Sequence, residues 1–162
     1  MTSRWPDRLV VRSWTTGDAR CVAAWRYDGL WSVYDSTEGE LHNAAGEYRA
    51  VVGRDDDEMV GFYCTGAEAR VPGLDGQPGV VDLGVGMAPT WVGQGYGFSF
   101  GNAVITHIRR AHPTSVLRVV VQSWNTRSLR LFHRLGFVES GQHQCVQNDR
   151  LITYVVALLP AP

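Results

Sequence analysis

Residues Gly93-Gln94-Gly95-Tyr96-Gly97 stand between an apolar, β-branched run over 79–87 and a stretch over 98–110 with apolar residues at helical spacing. Glycines let the backbone turn tightly and leave amide N–H groups uncovered by side chains. The start of the following helix adds partial positive charge, so the arrangement suits a phosphate or pyrophosphate. Glycine also serves strand-to-helix turns for steric reasons alone, so the loop needs support from elsewhere in the chain. A P-loop is excluded, because there is no Gly-Lys-Ser/Thr and all 15 basic residues are arginine. A dinucleotide fingerprint needs a third glycine three residues after the second. Counting from Gly93 and from Gly95 puts Phe98 and Phe100 there, and neither fits.

Support comes from further along. A strand-like run over 116–124 leads into Asn125-Thr126-Arg127-Ser128-Leu129-Arg130-Leu131-Phe132-His133-Arg134-Leu135-Gly136-Phe137. With this second motif the sequence resembles the GNAT (GCN5-related N-acetyltransferase) superfamily. That family places a Gln/Arg-x-x-Gly-x-Gly/Ala loop after its fourth strand and an Asn-led helix ending in Gly-Phe after its fifth. Val92 through Gly97 matches the first motif at both glycines, with Val92 where Gln or Arg is usual. The resemblance is firm over residues 81–137.

The resemblance implies an α/β/α sandwich in which the fourth and fifth strands splay apart and the arm of acetyl-CoA lies in the gap. It assigns main-chain groups of Val85 and Met87 to the arm. Amides from Val92, Gly93, Gln94, Gly95, Tyr96, Gly97 and Phe98 would cradle the pyrophosphate, and Asn125, Ser128 and Phe132 would flank the far side. Phe132 departs from the tyrosine common in the family, whose hydroxyl can protonate the leaving thiolate; phenylalanine has no proton to give.

Acetyl transfer needs an amine and a thioester held together, and a group that takes the amine's proton. Asp82, a carboxylate inside an apolar strand, is the first candidate base, with an ion pair to arginine or contact with solvent as its structural alternatives. Alternation puts Asp82 on the side of Gly84 and Gly86, opposite Leu83, Val85 and Met87. It is therefore expected on the less packed face, with room for an acceptor. Glu47 is the second candidate, and a water relay the third. Trp25, Tyr27, Trp31 and Tyr34, interleaved with Asp28, Asp35, Glu38 and Glu40, are expected to wall the acceptor site and to suit a cationic amine.

The elements that position these residues read as α+β with a mixed sheet. A first strand over 9–14 precedes a short helix over 19–25, with Thr16 as a candidate N-cap. Ser36 or Thr37 is expected to cap a second helix reaching Ala44 or Ala45. Residues 48–52 and 59–64 flank an acidic turn as a hairpin. Residues 70–78 form a loop, and residues 137–143 and 150–159 form a closing antiparallel pair.

A chain of 162 residues fits one domain, 1–162. A formal net charge of −1 gives no footprint for nucleic acid or a membrane surface. No apolar run approaches the roughly 20 residues of a membrane span. The start of the sequence lacks an apolar leader, and three separated cysteines suggest reduced thiols, so the cytoplasm is expected. The expected function is acetyl-CoA-dependent N-acetylation of a primary amine without a metal, by a monomer or homodimer. Small molecules lead as acceptors, aminoglycoside-type amines among them. The alternatives are a protein or peptide amine, and a module that binds acyl-CoA without turnover.

Overall fold

Short runs rich in β-branched and aromatic residues, bounded by turn residues, form most of the strands. In the computed structural model, which describes residues 3–43 and 45–162, the strands are β1 (Leu9–Ser13), β2 (Tyr48–Gly53), β3 (Met59–Thr65), β4 (Val80–Met87), β5 (Val116–Gln122), β6 (Val138–Gln147) and β7 (Arg150–Leu159). Among the described residues four α-helices join them: α1 (Thr16–Ala23), α2 (Glu38–Asn43), α3 (Gly97–Ala111) and α4 (Thr126–Arg134). The sheet has seven strands in the order β1-β2-β3-β4-β5-β7-β6. It is mixed, with β4 and β5 parallel, and with β1–β2, β5–β7 and β6–β7 antiparallel. No helix among the described residues is long and apolar enough to cross a membrane.

The chain groups into two compact units, Met1–Tyr63 with Val85–Ala103 and Cys64–Gly84 with Val104–Pro162. In the first, β1 pairs with β2 from Leu9↔Gly53 to Ser13↔Arg49. Val51, Val52, Val60 and Phe100 are fully buried there. Thr15, one residue before the expected cap, starts α1. Its hydroxyl accepts from Asp18 N (3.1 Å) while the Asp18 carboxylate accepts from Thr15 N (2.8 Å), a reciprocal capping box. Thr37, rather than Ser36, caps α2 in the same way through Glu40. Of the two expected ends of α2, Ala44 lies outside the described residues and Ala45 belongs to a separate 3₁₀ turn, Ala45–Glu47. Strand β1 stops at Ser13, leaving Trp14 beyond it.

In the second unit Leu117 and Val119 of β5 and Ile108 of α3 are buried. The two-residue β6–β7 turn, Asn148-Asp149, has φ of +50° and +61°, the left-handed pair that a tight hairpin demands and that Asn and Asp tolerate. Strand β6 runs four residues beyond the expected end at His143, because Gln144 through Gln147 continue the ladder with β7.

Asp18 also closes a charged link in the first unit. Arg12 donates to both its oxygens (2.7 and 3.0 Å) and to Asp57 Oδ1 in the β2–β3 turn (2.9 Å). Burial alone would raise the Asp18 carboxyl, but the bonds from Arg12 and Thr15 hold it below the usual carboxylate range. A depressed folded value stabilises the fold above the unfolded value of about 3.9, and that stability is lost as pH falls through the folded value. Asp18→Asn should therefore cost about 1.5–3 kcal/mol at neutral pH and flatten the acid limb of stability. Urea midpoints measured between neutral pH and acid would check this; an unchanged acid limb would remove Asp18 as its source.

Candidate active site

Strand β4 ends in a 3₁₀ turn, Pro89–Trp91, and the glycine loop then leads into α3. Gly93 and Gly95 adopt φ of +76° and +89°, a region that favours glycine. Gly93, Gln94 and Gly95 are exposed, and a Cβ placed on Gly95 would meet nothing within 4 Å. Gln94 turns its amide back to donate to the Thr90 carbonyl. Phe100 N donates to the Tyr96 carbonyl (3.0 Å) to close a first helical turn, so the preceding amides point beyond the helix end.

Three rings back this loop. Tyr96 stacks on Trp5 with centroids 4.4 Å apart and planes 4° apart, and Trp91 meets both edge-on at 5.6 and 5.3 Å. Trp5 and Trp91 were not expected to take part. Their one sequence signal is their position next to Pro6 and two residues after Pro89. Val92 is half-buried, and Phe98 is exposed.

Val85 and Met87, both half-buried, end β4. The Met87 carbonyl accepts the Tyr27 hydroxyl at 2.7 Å, and Asp35 Oδ1 accepts Tyr27 N at 3.0 Å. Burial, and then the Asp35 charge, push the Tyr27 phenol up, so it remains a hydrogen-bond donor. Tyr27 therefore grips the main chain of β4. Trp25 tilts onto Phe62 (6.0 Å), which also touches Trp14 (5.9 Å) and Tyr48 (5.7 Å). Trp31 and Tyr34 lie in a 3₁₀ segment, Gly29–Tyr34, that also exposes Leu30 and Val33. The four aromatics are thus divided between strand support, the Phe62 cluster and an outer segment.

Asp82 departs most from expectation. It is 3% exposed, not on an open face. Its Oδ1 accepts from Arg118 Nε (2.5 Å), and its Oδ2 accepts from Arg118 Nη2 (3.1 Å) and Arg70 Nη1 (3.0 Å). The space beside Gly86 is filled by the Phe62 ring, and a Cβ on Gly84 would lie 3.0 Å from Cys64 Sγ. The glycines expected to leave room for an acceptor beside Asp82 admit neighbouring side chains instead. Glu47 is half-buried at the end of a 3₁₀ turn, Ala45–Glu47, immediately before β2.

In the second unit Asn125 caps α4, its Oδ1 accepting from Ser128 N at 3.2 Å. Phe132 is buried edge-on against Phe137, with centroids 5.2 Å apart. Gly136, at φ +100°, ends the helix and returns the chain into β6. No group of three or more potential metal ligands occurs among the described residues.

The family profile described as the acetyltransferase (GNAT) domain matches residues 8–138. The chain belongs to the GNAT family and is, at family level, an N-acetyltransferase. Among solved structures it is similar to an acetyltransferase of the GNAT family from Bacillus anthracis (TM-score 0.76, 15% identity, 97% of each chain covered). It is also similar to yncA from Salmonella typhimurium, solved with its cofactor acetyl-CoA (TM-score 0.65, 21% identity, 95% of this chain and 94% of that one). A third is the ribosomal-protein-S18-alanine N-acetyltransferase of Escherichia coli (TM-score 0.68, 16% identity, 95% and 94% covered). At these identities the likeness is one of fold. No curated protein sequence matches the chain.

The packing of β4 yields a further prediction. A Cβ on Gly86 would intrude on the Phe62 ring, and one on Gly61 would lie 2.5 Å from the Phe100 ring and 2.6 Å from the Gly86 carbonyl. Gly86→Ala should therefore destabilise the protein by about 1–3 kcal/mol, read from urea unfolding. Adding Phe62→Leu should recover part of that loss; if the double variant is no better than additive, steric conflict with Phe62 is not the cause.

Proposed function

We propose that the chain transfers an acetyl group from acetyl-CoA directly to a primary amine, with a small-molecule amine as the leading acceptor. The observation that carries this is the glycine loop: an exposed turn with two left-handed glycines, opening α3 after β4 and its 3₁₀ turn. Its amides and the helix terminus suit the coenzyme's pyrophosphate. Val85 and Met87 offer main-chain groups to the pantetheine arm. The Met87 carbonyl keeps one lone pair for it beside the bond from Tyr27. Asn125, Ser128 and Phe132 stay in the proposal through their motif, and the Asn125 carbonyl oxygen already serves the α4 cap.

In the transfer itself, the amine nitrogen attacks the thioester carbonyl, a C–N bond forms, and the C–S bond then breaks. The amine's proton passes to a base or to water, and the thiolate leaves. Phe132 supplies no proton, and a thiol with a reference pKa of about 8.5 is acidic enough to depart as thiolate. Asp82 is removed from the candidate bases in this proposal, because guanidinium donors engage both its oxygens. Glu47 and a bound water take its place. The acceptor region from Arg26 to Glu47 contains five carboxylates and one arginine, which favours a cationic substrate. A peptide amino terminus is the second acceptor class, favoured by exposed Leu30 and Val33. The free thiols of Cys21, Cys64 and Cys145 agree with a reducing compartment and support a cytoplasmic setting.

Two measurements test the proposal. A ligand present at about 100 times its dissociation constant adds roughly 2.7 kcal/mol to stability, so acetyl-CoA should raise the melting temperature. Gly95→Ala and Gly95→Glu share the backbone strain of a side chain at φ +89°. Only the Glu variant adds negative charge, and it should lose the acetyl-CoA shift while Ala keeps part of it. Equal shifts in both would remove the loop as the pyrophosphate site. Release of free coenzyme thiol across polyamine, aminoglycoside and peptide panels then identifies the acceptor. Binding without release from any amine would mark a coenzyme-binding module instead.

A further inference from the structure

The parallel ladder between β4 and β5 runs over three register pairs, Val80↔Val116, Val81↔Leu117 and Asp82↔Arg118. Leu83 and Gly84 have no register partner in β5, although β5 continues to Gln122 in antiparallel pairing with β7. The last register pair is itself the buried ion pair, with Arg118 bound to both oxygens of Asp82. Both residues are nearly excluded from solvent, at 3% and 5% exposure. The guanidinium of Arg118 reaches further, donating to the Asp75 carbonyl at 2.7 Å. Arg70 comes back from the other end of the same loop to Asp82, and Gly76 leaves room for it: a Cβ there would lie 2.9 Å from Arg70 Nη1. The loop is fastened again at Pro72, whose carbonyl lies 2.7 Å from His143 Nε2 on β6.

We propose that Asp82, Arg118 and Arg70 form a clamp that fixes where β4 and β5 part, and so fixes how much of the β4 edge is available to the coenzyme arm. A parallel ladder has no intrinsic stopping point while both strands continue. Beyond Asp82 both strands do continue, yet the pairing ends at the residue held from two directions. A bidentate guanidinium sets the distance and angle of its carboxylate more tightly than a single main-chain bond does. Asp82 and Arg118 are thus positioning residues, acting through the main chain of β4 rather than on the reacting atoms. The coenzyme part of this proposal rests on the acetyl-CoA reading above.

Hydrogen exchange on the coenzyme-free protein tests the clamp itself. Asp82→Asn keeps the shape and removes the charge. Peptides covering 80–84 and 116–118 should exchange about tenfold faster, while peptides of β6 and the outer part of β7 keep the wild-type rate. In steady-state kinetics the same variant should raise KM for acetyl-CoA roughly tenfold, as a misplaced binding edge does, with kcat and its pH profile unchanged. Uniformly faster exchange with an unchanged KM would reduce the trio to ordinary stabilisation and overturn the proposal. A loss in kcat of about 10²-fold with KM unchanged would return Asp82 to the role of base and also overturn it. If Asp82→Asn does not fold, Arg70→Gln tests the more exposed arm, with the same pattern at smaller size; wild-type exchange and KM there would overturn the clamp. Local fraying in a protein that binds no acetyl-CoA even as wild type would refute the coenzyme reading while leaving the clamp intact.

Discussion

A carboxylate taken out of water must be met by donors at both oxygens, and Asp82 is met by two guanidiniums from different parts of the chain. Removing one member of such a pair leaves an uncompensated buried charge, at a cost of about 3–5 kcal/mol. In the second unit β4, β5 and the loop over 70–79 each contribute a group to the cluster that avoids that cost. Asp82 and Arg118 face one another because β4 and β5 are parallel and in that register. The loop from Arg70 to Gly79 keeps its course because it supplies one guanidinium and one carbonyl to the same cluster. An apolar pair of equal volume would pack here as well, but it would hold no direction. Direction is what the end of a ladder requires.

The first unit solves a different problem with different chemistry. Strand β4 ends there among aromatic rings, and at Gly61 and Gly86 a ring lies where a side chain would otherwise stand. Phe62 fills the space over Gly86 and gathers Trp14, Trp25 and Tyr48, while Tyr27 fastens the last carbonyl of the strand. Beyond the strand, Trp5, Trp91 and Tyr96 give the glycine loop a stiff floor. A loop so rich in glycine has few side chains of its own to hold it, so its order must come from what lies beneath.

The motifs legible in the sequence were those whose residue types answer to backbone geometry. Gly93 and Gly95 turn the chain as expected, the Asn-led helix starts after Asn125, and the closing antiparallel pair forms, because each depends on neighbours within a few positions. Asp82 was legible only in part. Its neighbours mark it as a carboxylate in an apolar strand, but whether its surroundings are open depends on Phe62, Cys64, Arg70 and Arg118, up to 36 positions away. The aromatics between Trp25 and Tyr34 divided for a similar reason: composition marks them as a group, while the Tyr27 bond to Met87 spans 60 positions. The one-residue shift of the α1 cap to Thr15 reflects the choice between adjacent threonines, both able to cap.

The clamp also bears on the chemistry of the family to which the chain belongs. Acetyl transfer makes any accessible lysine ammonium a latent acceptor, and acetylation would erase the charge on which an ion pair depends. A guanidinium is planar, delocalised and permanently charged, and it offers no such nucleophile. With arginine at all 15 basic positions, neither the Asp82 cluster nor the Arg12 link contains a side-chain amine that the reaction could modify. The internal ion pairs of the scaffold are thereby built from groups that an acetyl donor does not modify.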